Sequence, residues 1–309
     1  MKKIIRNTYL AIIAIDILLL IFVPIHPQSN SKDKPNIVSS LFIGYDIVRN
    51  LTKDTAIKAK MLLPAGAELH SYEPSPQDII TIKESDIFIY NGGESEEWLE
   101  DIVDEIDQTK TTIIRMMDYV ELLEEDDEAG EYDEHIWTSP KNVQIIYSKI
   151  TPVIVQKYPE FANRIQANFE AQNNALAKLD QDFRTLASTK TGKLIVADRF
   201  PLRYFVEEYG FDYYAAFPGC AEQTEANAKT ISELINAVNE SPKKVIFHIE
   251  LSNQSIANTI KDATGAKILE FHSVHNISQS DFDAGKTYID FMRQNYNNLN
   301  ETLYVPSES

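Results

Sequence analysis

The stretch FANRIQANFEAQNNALAKLDQDFRTL, residues 161–186, decides the architecture. Its apolar positions are Phe161, Ile165, Phe169, Leu176, Leu179, Phe183 and Leu186, and each step between neighbours is 3, 4 or 7 residues. That rhythm belongs to one face of a single α-helix. Unbroken, the helix would run about 26 residues, or roughly 39 Å. Such a rod is roughly twice an ordinary helix, which suits a span between two lobes better than a place inside one. A coiled-coil seam is the weaker alternative, because the repeat covers too few heptads.

Outward from the rod, both flanks alternate short β-rich runs with helical periods. Before it, residues 36–42, 58–63, 86–90 and 111–116 read as strands and 45–51 as a helix. Ser75 and Pro76 then open another helix, with proline at its first position. After it, residues 193–197, 213–217, 244–248 and 267–271 read as strands, and 204–209, 228–238 and 253–263 as helices. Strand–helix alternation predicts parallel sheets. The expected fold class is therefore α/β: two α/β lobes, each a mainly parallel sheet flanked by helices, joined by one long linking helix. The expected boundaries are 29–158 for the first lobe, 159–189 for the link and 190–309 for the second lobe. A ligand belongs where the carboxyl ends of the two sheets face each other.

Composition narrows the partners. The 309 residues carry a formal net charge of -18 with no clustered basic patch, which excludes nucleic acid as a partner. Lys2, Lys3 and Arg6 precede the apolar run YLAIIAIDILLLIFVPI, residues 9–25. A basic segment followed by an apolar one reads as an export signal or an N-terminal membrane anchor over residues 1–28, so the remainder is expected to be extracytoplasmic. Asp16 interrupts the run, and no small-x-small cleavage site follows it. Residues 29–35, SNSKDKP, form a polar linker. Cys220 is the only cysteine, so stability must come from a packed core rather than from an intrachain disulfide.

Two histidines carry the chemistry. His70 lies in LLPAGAELHSYEPSPQD, residues 62–78, between a strand and a helix start. His135 lies in DEHIWTSP, residues 133–140, again just ahead of a Ser-Pro helix start. Imidazoles on loops fixed by regular backbone on both sides suit a borderline metal ion such as Zn(II). The acidic segment ELLEEDDEAGEYDE, residues 121–134, precedes His135 directly and reads as a solvated loop.

These two motifs, with NGGESEEW (91–98) and YFVEEYG (204–210), resemble the zinc- and manganese-binding solute-binding proteins of metal ABC transporters. Matching text runs from about Asn36 to Met292. The resemblance implies one divalent metal held between the lobes, and delivery to a membrane permease driven by a cytoplasmic ATPase. It makes His70 and His135 the first two ligands. At the place of the third it puts Arg199, which has no lone pair to give, so its neighbour Asp198 becomes the candidate. At the place of the fourth it puts His272, with His275 as the fallback. Glu250 is a possible ligand or a group that orients one, His248 reads as a core residue, and Cys220 as a remote thiol candidate. Three imidazoles with one carboxylate favour Zn(II) over Mn(II). A monomeric, non-enzymatic carrier is expected. The alternatives are an exported zinc hydrolase, although no His-Glu-x-x-His is present, or an adhesin or sensor of the same fold.

Overall fold

The computed structural model describes residues 35–124, 131–217, 219 and 226–305. The expected N-terminal signal or anchor, residues 125–130 of the acidic run and Cys220 lie outside the described residues. Among the described residues no helix is long and apolar enough to cross a membrane.

The first lobe contains β1 (Ile37–Ser39), α1 (Phe42–Leu51), β2 (Ala59–Met61), α2 (Pro76–Glu84), β3 (Ile87–Tyr90), β4 (Thr112–Arg115) and α3 (Pro140–Lys157). Its sheet runs β2-β1-β3-β4, with every neighbouring pair parallel. After the rod α4 (Ala162–Thr189), the second lobe contains β5 (Leu194–Val196), α5 (Arg203–Tyr209), β6 (Tyr213–Ala215) and α6 (Ala228–Glu240). It continues with β7 (Val245–His248), α7 (Ser255–Thr264), β8 (Lys267–Glu270), α8 (Gln279–Asp283) and α9 (Tyr288–Thr302). Its sheet runs β6-β5-β7-β8, again all parallel, so the two lobes repeat one topology.

The central strands are apolar almost throughout because helices cover both of their faces. All three residues of β1, all three of β5 and all four of β7 are buried. The rod is 28 residues long and turns Ile165, Leu176, Leu179, Phe183 and Leu186 inward. It packs on α1 and α3 of the first lobe and on α5 and α9 of the second. One apolar core therefore runs along it, taking in Ile47 and Ile146 on one side and Phe205 and Phe291 on the other.

In each sheet the chain leaves the first strand in one direction, returns, and continues on the other side. That reversal sits between β1 and β3 and between β5 and β7, where parallel sheets open a crevice at their carboxyl ends. The loops after β2 and β8 close against each other there: the Gly66 N–H donates to the Ile277 carbonyl at 2.8 Å. Asn276 Nδ2 donates to the carbonyls of Pro64 (2.7 Å) and Ala67 (2.8 Å).

Two helices escaped the sequence reading of the second lobe. The caps mark them: Ser278 accepts from Asp281 N at the start of α8, and Thr287 forms a capping box with Asp290 at the start of α9.

Candidate metal centre

His70 follows β2 on the loop that Ser75 ends by capping α2. His135 follows β4, and Ser139 with Pro140 starts α3 four residues later. His275 sits on the loop after β8. One ring nitrogen from each of these three lies within 4.8 Å of the others. The His135 and His275 rings meet edge to face at 4.4 Å, and His70 stands 6.3 Å and 5.8 Å from them. Nitrogens around one tetrahedral zinc lie about 3.4 Å apart, given bonds of about 2.05 Å, so a small inward movement of the rings suffices.

Each imidazole is held from behind. His135 Nδ1 faces Asp133 Oδ1 at 2.7 Å, and the same oxygen accepts the His135 backbone N–H at 2.8 Å. His70 Nδ1 lies 2.9 Å from Ser95 Oγ, whose hydroxyl donates to Glu134 Oε1. His275 Nδ1 lies 2.6 Å from Ser273 Oγ, whose hydroxyl donates to Glu250 Oε1 at 2.7 Å. A hydroxyl has one proton, and the carboxylate takes it, so both serines accept from the histidines. All three rings thus carry Nδ1–H, and the lone pair of each resides on Nε2. Orientation of this kind is what metal-binding imidazoles require.

The carboxylates are themselves buried and gripped. Glu250 accepts the backbone N–H of Ser273 (2.7 Å) and of His275 (3.0 Å). Burial pushes its carboxyl up, but the imidazoles of His272 and His275 and the Ser273 donors outweigh this and hold it below the ordinary value. Glu134 Oε1 lies 3.8 Å from His70 Nδ1 and 4.0 Å from His135 Nε2. It comes that close because residue 93 is glycine: φ there is 101°, and an added Cβ would stand 2.4 Å from the Cβ of Glu134.

The family model described as zinc-uptake complex component A, periplasmic (ZnuA), matches residues 37–302. The chain belongs to that family.

The high-affinity zinc uptake system protein ZnuA of Bacillus subtilis is 27% identical over 293 residues, covering 91% of each chain. The zinc-binding lipoprotein AdcA of Streptococcus pneumoniae is 27% identical over 287 residues; 89% of this chain matches 57% of that protein's length. The crystal structure of the Zn(II)-bound ZnuA-like domain of AdcA superposes with a TM-score of 0.72 at 26% identity, covering 87% of this chain and 98% of the domain.

Two of the residues expected as ligands from the sequence stand outside the three-histidine cluster. His272 does not join the cluster. Its ring lies flat on Phe291 at 3.8 Å, and its Nδ1 accepts the Val274 N–H at 3.1 Å, so that nitrogen's lone pair is engaged. The loop turns sharply between 272 and 275 and sends only the second ring into the crevice. Asp198 does not join either: its Oδ1 accepts the Arg199 backbone N–H at 3.0 Å. Arg199 reaches across to Glu68, Nη2 to Oε2 at 3.1 Å and Nη1 to Oε1 at 3.4 Å, and so bridges the lobes beside His70. His248 is buried, with Nδ1 on the Ile249 carbonyl at 2.7 Å, in keeping with a core role. Ser95 and Ser273 were missed altogether. A serine two residues before His275 was the available signal, but serine is common and carries no ligand chemistry of its own.

Proposed function

We propose that the chain is the extracytoplasmic binding component of a metal ABC transporter. It captures a divalent ion between its lobes, with His70, His135 and His275 as ligands, and passes it to a membrane permease coupled to a cytoplasmic ATPase. The observation that carries this reading is the convergence of one ring nitrogen from each of three histidines on loops of both lobes. A donor set of three imidazole nitrogens favours Zn(II), whereas Mn(II) prefers a shell richer in oxygen. Membership of the zinc-uptake family supports the same choice.

The charge balance is favourable as well. The imidazoles bring no charge, while Asp133 stands one hydrogen bond behind His135, and Glu134 and Glu250 stand behind His70 and His275 through the hydroxyls of Ser95 and Ser273. A dication entering the site thus meets negative charge at close range without displacing any acceptor. Binding and release, rather than turnover, is the activity this arrangement serves.

Zinc titration of the purified protein by calorimetry tests it. The unaltered chain should bind one equivalent, and H70A, H135A and H275A should each bind roughly a hundredfold or more weakly. Unchanged affinity in any of the three removes that residue from the site, and unchanged affinity in all three ends the reading.

A further inference from the structure

His272 is buried beside the cluster yet turned away from it, and what it does instead is visible in the backbone. Val274 adopts φ = 63°, the left-handed region. For a β-branched residue that conformation is a true outlier, held only where the surroundings over-determine it. Here they do. Asn295 of α9 clamps residue 272 from both sides, its Oδ1 accepting the His272 N–H and its Nδ2 donating to the His272 carbonyl, each at 2.8 Å. The His272 ring, fixed on Phe291, then presents Nδ1 to the Val274 N–H at 3.1 Å. Glu250 takes the N–H groups on either side of Val274, those of Ser273 and His275.

We propose that His272 is a positioning residue for metal capture: its Nδ1 holds the Val274 N–H, and thereby the left-handed turn that swings His275 into the crevice. The nearby histidine that fails to reach the cluster is the one that aims its neighbour. In an ordinary extended conformation at 274, the loop would continue the strand and the His275 ring would leave its present place against His135 and Trp137. The serine–carboxylate pair of Ser273 and Glu250 fixes the ring's tautomer; His272 fixes where the ring is. This inference rests on the assignment of His275 as a ligand.

Two substitutions separate the hydrogen bond from the packing. In H272N the side-chain oxygen stands about where Nδ1 did and still accepts the Val274 N–H, but the stack on Phe291 is lost. In H272F the stack survives and the acceptor does not. Zinc affinity, by calorimetry or competition with a chelating dye, should stay within about threefold of the unaltered protein in H272N, while its melting temperature falls. It should weaken by roughly tenfold or more in H272F, the range expected for groups that orient metal ligands. Glycine enters the left-handed region freely, so V274G removes the need for the restraint. The double variant H272F/V274G should therefore bind zinc within about threefold of V274G alone.

Wild-type affinity in H272F overturns the proposal, as does an equal loss from H272F in the valine and glycine backgrounds. Should H272F fail to fold by circular dichroism, H272N decides the matter: weak zinc binding in that folded variant overturns the proposal, and retained binding upholds it. H275A guards the premise. Wild-type affinity there sinks the three-imidazole site itself, whereas a weak H275A beside an unaffected H272F sinks only the positioning role.

Discussion

At Asp133 a single oxygen accepts both the backbone N–H and the ring Nδ1–H of His135. Asparagine can fill the same geometry with its amide oxygen but brings no charge. D133N should therefore keep the fold and weaken zinc binding by roughly tenfold, through lower basicity at Nε2 and loss of a compensating charge. Calorimetry beside a melting curve checks it, and an unchanged affinity would show that orientation alone matters there. Residue by residue, the meeting of His70 and His135 in one cluster was legible because each precedes a helix start signalled by Ser-Pro. The choice between His272 and His275 was not. Both follow β8, and the deciding fact is a positive φ at a valine, which sequence patterns place against expectation.

Among the elements, the turn after β3 has the clearest pH dependence. Glu96 is buried, and its Oε2 gathers the N–H groups of Asn91 (2.8 Å) and Gly92 (2.7 Å), shaping the loop that carries Ser95. Burial pushes its carboxyl up to about 7, with the Glu134 charge adding to the rise, against opposition from its hydrogen-bond donors. The unfolded chain releases this proton near the ordinary value of 4.5, while the folded chain keeps it until about 7. Stability should thus fall as pH rises through that window and level off above it, by an amount on the order of 3 kcal/mol. E96Q keeps an accepting oxygen and never ionises, so it should lose less stability between pH 5 and pH 8 than the unaltered chain. Metal-free melts across that range give the answer, and parallel curves would refute it. The neighbouring element shows how far sequence alone reaches. The spacing in 161–186 gave α4 almost whole, since one stripe buried against a continuous core imposes the helical period. The central strands β1, β3, β5 and β7 were legible as apolar runs because they are buried between covering helices. The helices α8 and α9 were not, since their signal is in the caps and the sequence reading followed apolar periodicity instead.

For the whole molecule, the question is what keeps the crevice shut. The lobes are joined through α4 on one side, and at the crevice by the 64–70 and 272–278 loops, the segments that carry His70 and His275. Asn276 is the centre of that closure, one amide bonded to two carbonyls of the opposite lobe. Trp137 Nε1 donating to the Ser273 carbonyl at 2.9 Å and the Arg199–Glu68 pair flank it. None of these groups belongs to the three-histidine cluster, and each lobe has its own sheet, so N276A should leave the fold standing. What it removes is the preorganisation that holds histidines from both lobes close together, an effect felt mainly in the rate of escape. Zinc dissociation into excess chelator, followed by stopped flow, should accelerate by roughly tenfold in N276A with little change in the association rate. Equal dissociation rates would mean that the lobes stay closed without this contact, and that α4 and the remaining bridges set the grip on the ion.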